Sequence, residues 1–137
     1  MLQVPVLFTE QNTSGLGGTL SELQPETRRL AHKMTFDACR AEGFLEVLLQ
    51  RTDIIVAGCE GHVCVLQTVL GLLNAGRRVH IVRDVLGSRR AESKETAIRR
   101  MERNGAEVVT TEMVLFEWLE TADDPRLDGI IALVKCT

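Results

Sequence analysis

The chain has 137 residues, 45% of them hydrophobic and 26% charged, and a net charge of −3. This profile fits one globular domain over residues 1–137, long enough to bury a core; it argues against nucleic acid as a partner, since Arg89-Arg90 and Arg99-Arg100 are short pairs balanced by nearby glutamates and read as solvated helix faces. No stretch approaches the roughly 18 to 20 apolar residues of a membrane span and the N-terminus has no signal-peptide pattern, so a cytoplasmic protein is expected.

Strand-like and helix-like segments alternate along the chain, which predicts a parallel sheet with helices on both faces. Residues 4–9 read as a strand, with Pro5 tolerated near its start. Residues 11–18 read as a loop punctuated by Gly15, Gly17 and Gly18. Residues 30–33 form a short strand, and residues 43–50 a helix with Phe44, Val47 and Leu48 on one side. Residues 53–58 are the clearest buried strand and residues 63–75 the clearest helix, stopped by Gly76. Val65, Leu66, Val69, Leu70, Leu72 and Leu73 make that helix apolar nearly all round. It is therefore expected to be buried on more than one side, within the domain or against a partner chain. A strand over residues 78–82 leads into a loop over 84–88. A helix over 92–104 follows, with Ala97, Ile98 and Met101 facing inward and Gly105 ending it. Residues 106–110 form a strand, and residues 112–120 a helix capped by Thr111. Asp124-Pro125 then opens a C-terminal helix to about Lys135, with the proline at the first helical position.

The chemistry concentrates in Ile54-Ile55-Val56-Ala57-Gly58-Cys59-Glu60-Gly61-His62-Val63-Cys64-Val65. An apolar strand runs into two glycines and then into the long helix, so Cys64 falls on the first helical turn, outside the carboxyl end of a strand. A helix N-terminus carries partial positive charge and free N–H groups, which favour a nucleophilic thiolate. Open α/β sheets place their ligands at this end of the strands. The plainer alternative is that Cys64 is a small buried hydrophobe. His62 is expected to line the pocket or a subunit contact, because adjacent loop positions point apart and it would not reach the thiol as a base. Asp84 and Ser88 are expected at the rim of the same cleft, Asp84 alternatively capping a turn. Cys39, Cys59 and Cys136 are read as structural. The cysteines have neither metal-knuckle nor disulfide spacing, and no His/Asp pair near the site has ligand spacing, so no metal and no cofactor is expected.

The segment Glu60-Gly61-His62-Val63-Cys64-Val65-Leu66-Gln67-Thr68 resembles the nucleophile segment of the isochorismatase-like cysteine hydrolases. Phe8-Thr9-Glu10-Gln11 with Gly15-Leu16-Gly17, Lys33-Met34-Thr35-Phe36, Arg78 to Asp84 with Gly87-Ser88, and Thr110 to Phe116 resemble further segments of that family, in order along the whole chain. The resemblance implies a three-layer α/β/α Rossmann-like fold of about five strands and a Cys-Asp-Lys triad, with Cys64 as nucleophile and Lys33 as the lysine. It also implies a non-proline cis peptide at Cys59–Glu60, with the N–H groups of Glu60 and Cys64 as oxyanion donors.

The family's aspartate ends its first strand, whereas this chain starts where the family's second strand starts. The first strand, its acid and the following helix are therefore expected to be missing, which opens a gap between two neighbouring strands. Glu10, at the end of an apolar strand and followed by Gln11, is the candidate substitute base; otherwise it is a loop or rim residue. Lys33 alone reads as a surface lysine, and only the resemblance turns it toward Cys64. Two functions follow. One is a hydrolase acting on a small-molecule amide or related C–N bond through Cys64, with impaired activity. The other is a non-catalytic oligomeric scaffold that keeps the fold. A homodimer or larger assembly is expected in both cases, because exposed strand edges and apolar faces need cover.

Overall fold

A computed structural model describes residues 2–23, 29–48 and 51–135. Five strands lie among them: β1 (Leu7–Gln11), β2 (Arg29–Lys33), β3 (Asp53–Gly58), β4 (Arg78–Leu86) and β5 (Glu107–Val109). The helices are α1 (Thr13–Leu16), α2 (Phe44–Val47), α3 (Leu66–Asn74), α4 (Ala91–Arg103), α5 (Thr111–Leu119) and α6 (Leu127–Lys135). Short 3₁₀ turns occupy Ser21–Leu23 and Ala38–Arg40, and a π-turn, Gly61–Val65, leads into α3.

All strand pairings are parallel, in two sheets. β1 pairs with β2 from Leu7↔Arg29 to Gln11↔Lys33, and the second sheet has the order β3-β4-β5. Among the described residues, one edge of β1 and one edge of β3 carry no partner strand. The gap expected between neighbouring strands thus takes the form of a sheet divided in two.

Alternation along β4 builds the three layers. Val79 and Ile81 point into the main core beside α3 and α4, where Val69, Leu72, Ala97, Ile98 and Met101 are buried. Val82 points to the opposite face, packing with Val109 and with Val114 of α5. Helix α3 buries Leu66, Val69 and Leu72 and leaves Leu70 and Leu73 half-buried, in keeping with its two-sided apolar pattern. It stops where Gly76 takes φ 75°, with the N–H of Gly76 on the Leu73 carbonyl and the N–H of Arg77 on that of Leu72.

Several boundaries differ from the sequence reading, each for a local reason. The first strand is Leu7–Gln11 and not residues 4–9, because only those residues have partners on β2. The loop expected over 11–18 contains the single turn α1. β3 is not a buried strand: it lies at a sheet edge, and Asp53, Ile55 and Ala57 are exposed on one face. β4 continues through the loop expected at Asp84, because the register shifts after Val56↔Ile81 and pairing resumes at Gly58↔Leu86. Helix α5 is capped by Thr110 and not Thr111, the Thr110 hydroxyl accepting the Met113 N–H at 3.3 Å. Helix α6 begins at Leu127, beyond Pro125, because the Asp124 carboxylate accepts the Arg126 N–H at 2.8 Å and holds a turn there. The helix expected over 43–50 is Phe44–Val47, with residues 49–50 outside the described residues.

Candidate active site

The carboxyl ends of β1, β2 and β3 converge on Cys64. After β3 the chain turns at Gly58, passes a cis peptide bond between Cys59 and Glu60, and enters the π-turn in which the Val65 N–H reaches back to the Glu60 carbonyl at 3.2 Å. Such wide turns inside helices recur at functional sites. Two hydrogen bonds lock this segment to the end of β4: Gly87 N–H to the Gly58 carbonyl at 3.0 Å, and Gly61 N–H to the Gly87 carbonyl at 2.7 Å. Glycine suits position 61, since a Cβ would lie 3.0 Å from the Gly87 oxygen, the Leu86 Cγ and the Ser88 Oγ alike and those neighbours would have to give.

Gln11 connects the parts of the site. Its Oε1 accepts the Lys33 ammonium at 2.6 Å and the Cys64 thiol at 3.9 Å, while its Nε2 donates to the Met34 carbonyl at 2.7 Å. The β1–β2 register pairs Gln11 with Lys33, so parallel pleating sends both side chains to the same face. Lys33 is only 7% exposed, and its Nζ also donates to the carbonyls of Thr35 (3.1 Å) and Phe36 (3.2 Å). Three neutral oxygens thus hold a buried cation, and no carboxylate among the described residues is bonded to Lys33 or to Cys64. Buried charges are normally paired; here the partners of the ammonium among the described residues are all neutral oxygens. Sequence reasoning singled out Cys64 and Lys33 but gave no role to Gln11. The available signal was that Gln11 and Lys33 each close a strand of the same short sheet.

Glu10 is turned elsewhere. It precedes Gln11 on β1 and so faces the other side, where its Oε1 accepts the N–H and the hydroxyl of Thr19, both at 2.7 Å. Its other oxygen lies 3.3 Å from His32 Nδ1. The structure does not bring Glu10 to Cys64, which corrects its choice as substitute base: strand alternation separates any acid from the residue that follows it.

Asp84 also departs from its expected place at the pocket rim. Both its oxygens accept the Thr111 N–H, at 3.0 and 3.1 Å, at the start of α5. Partial desolvation pushes the Asp84 carboxyl up, but the bonds from Thr111 outweigh it and hold the group below the usual carboxylate value. Ser88 does meet His62, with 3.2 Å between its Oγ and Nδ1. The Glu60 carboxylate accepts the Arg89 N–H at 3.1 Å and lies 3.4 Å from His62 Nδ1, away from the thiol. Burial pushes the Cys39 thiol up to about 12, the nearby Asp37 carboxylate adding to the effect. Cys59 is exposed, and Cys136 lies outside the described residues. No group of three His, Cys, Asp or Glu side chains among the described residues could hold a metal ion.

Comparison with known proteins agrees with this architecture. The isochorismatase domain model matches residues 2–113. Isochorismatase family protein 1B of Dictyostelium discoideum is 32% identical over 142 residues, which takes in 98% of this chain and 69% of that protein. Among solved structures, the MAR1 ribonuclease of Caenorhabditis elegans has a TM-score of 0.88 at 32% identity, over 96% of this chain and 69% of that one. The Escherichia coli ycaC gene product, described as an octameric hydrolase of unknown specificity, has a TM-score of 0.71 at 26% identity, over 78% of this chain and 55% of that one. Sequence and fold agree along nearly the whole chain: it belongs to the isochorismatase domain family.

Proposed function

We propose that this chain carries the nucleophile side of a small-molecule hydrolase site and that its activity is impaired. In this reading the Cys64 sulfur attacks the carbonyl carbon of an amide or related C–N bond. The N–H groups of Glu60 and Cys64 receive the developing oxyanion. The C–N bond then breaks with the proton passing to the departing nitrogen, and water releases the acyl group from sulfur. One observation carries the reading: the Gln11 amide oxygen joins the Cys64 thiol to the buried Lys33 ammonium. That cation favours negative charge on sulfur or on a bound carbonyl oxygen. The impairment follows from the same contact, because an amide oxygen accepts a hydrogen bond but does not take up a proton at neutral pH.

The second reading, a non-catalytic oligomeric scaffold, is favoured by the engagement of Glu10 with Thr19 and His32. Both readings include self-association. It is supported by the open edges of β1 and β3, by exposed Ile55, Met113, Phe116 and Trp118, and by the octameric E. coli relative. A reducing, cytoplasmic setting fits the free thiols of Cys39, Cys59 and Cys64. No helix among the described residues is long and apolar enough to cross a membrane.

A panel of small amides separates the two readings. The hydrolase reading expects slow turnover of at least one of them, lost in Cys64→Ala and lowered about tenfold or more in Lys33→Met. Turnover that persists unchanged in Cys64→Ala removes Cys64 as the nucleophile, and no turnover with any amide favours the scaffold.

A further inference from the structure

The pair Arg89-Arg90, read from sequence as part of a solvated helix face, stands instead just before α4 at the mouth of a cleft. This cleft has a volume of about 290 Å³ and is lined by His62, Arg89, Arg90 and Ser93. Every lining residue is polar, and none is a carboxylate. Glu95, a glutamate that would balance the pair, is committed to Arg83 at 2.7 Å. Glu60 is the acid bordering the cleft, and it offsets at most one positive charge, lying 3.8 Å from Arg89 Nε and 3.4 Å from His62 Nδ1. The Arg90 guanidinium has no ion-pair partner among the described residues. Glu92, in the first turn of α4, is a further nearby acid but is not among the lining residues, so the lining itself carries two guanidinium groups and no carboxylate.

The cleft is also tied to the nucleophile. His62 belongs to the same π-turn as Cys64, and the bonds between Gly61, Gly87 and Gly58 fix that turn against the segment leading to Arg89. We propose that this cleft binds the oxyanion group, phosphate or carboxylate, of a small-molecule ligand. Arg90 and Ser93 would donate to its oxygens, and the N-terminal end of the 13-residue α4 would add a favourable field. Assigning that anion to the molecule attacked at Cys64 rests on the hydrolase reading; the binding itself does not. The ligand it selects is then a small amide that also carries a phosphate or carboxylate. The cleft's size and its one unpaired guanidinium suit a small anion better than a polynucleotide track, which needs several phosphate contacts.

The test is an NMR titration of the whole chain with inorganic phosphate and, separately, with acetate, at constant ionic strength. The expected result is saturable shifts centred on His62 and on Arg89 to Ser93, with at least one of the two anions. Arg90→Gln weakens that binding about ten- to hundredfold, the loss of a charge-assisted contact. The stronger of the two anions identifies which group the cleft prefers. Cys64→Ser binds as the wild type does, so a failure of the nucleophile assignment would leave this result standing. Absence of saturation with both anions, or equal affinity in Arg90→Gln, overturns the proposal. So does tighter binding of a short RNA than of either anion, since it would assign the cleft to a polynucleotide.

Discussion

The Cys64 thiol donates to the Gln11 amide oxygen, an acceptor that positions the thiol but is not itself a base. Lys33 reaches the same oxygen from the other side, so the three side chains form one unit without an acid. The place of Cys64 between a strand and an apolar helix was legible in the sequence because glycines separate the two elements. Lys33 was legible only through the family resemblance, since burial of a lysine leaves no trace in its immediate neighbours. Glu10 was misjudged because a strand ending in an acid suggests a base, while the face that acid occupies depends on the register with β2. Its buried bonds to Thr19 and His32 make Glu10 a structural residue. Glu10→Gln is therefore expected to lower stability by about 1–3 kcal/mol in chemical denaturation. The same variant should leave the alkylation rate of Cys64 unchanged; a large fall in that rate would restore Glu10 as the base.

The helices and strands most clearly written in the sequence are those with a strong local pattern. Helix α4 presents Ala97, Ile98 and Met101 to the core as expected, and β3 has the expected bounds. What local pattern could not convey was pairing. The extension of β4 to Leu86 depends on renewed pairing with Gly58, and the exposure of β3 depends on which strands flank it. Asp84 illustrates the consequence, because that extension delivers its carboxylate to the first N–H of α5. The group lies below the usual carboxylate value in the fold, so its contribution is complete above the unfolded value of about 3.9 and is lost as the pH falls through the lower folded value. Asp84→Ala is expected to cost about 1 kcal/mol at neutral pH, the loss of a helix-terminal acceptor. The difference from wild type should shrink as denaturation is repeated at increasingly acid pH. A gap that stays constant into strong acid would show that the carboxylate is not its source.

Taken whole, the molecule has the layers and element order of its family but a sheet in two parts, meeting at Gln11 and Cys64. The open edges of β1 and β3 and the exposed apolar side chains of β3 and α5 lead to an expected dimer or larger assembly in sedimentation velocity at micromolar concentration. A well-folded monomer there would contradict it. Whether the site works as a nucleophile on carbonyl carbon is read most directly with para-nitrophenyl acetate, followed by intact-mass analysis. This ester needs no proton on its leaving group, so its departure requires no acid: sulfur bonds to the acetyl carbon, para-nitrophenolate departs, and the thiol proton passes to water. The expected result is a burst of one para-nitrophenolate per chain and the added mass of one acetyl group on Cys64. The burst should disappear in Cys64→Ala and slow in Lys33→Met. No acetyl on Cys64, or an equal burst without the thiol, would contradict the assignment of Cys64 as nucleophile.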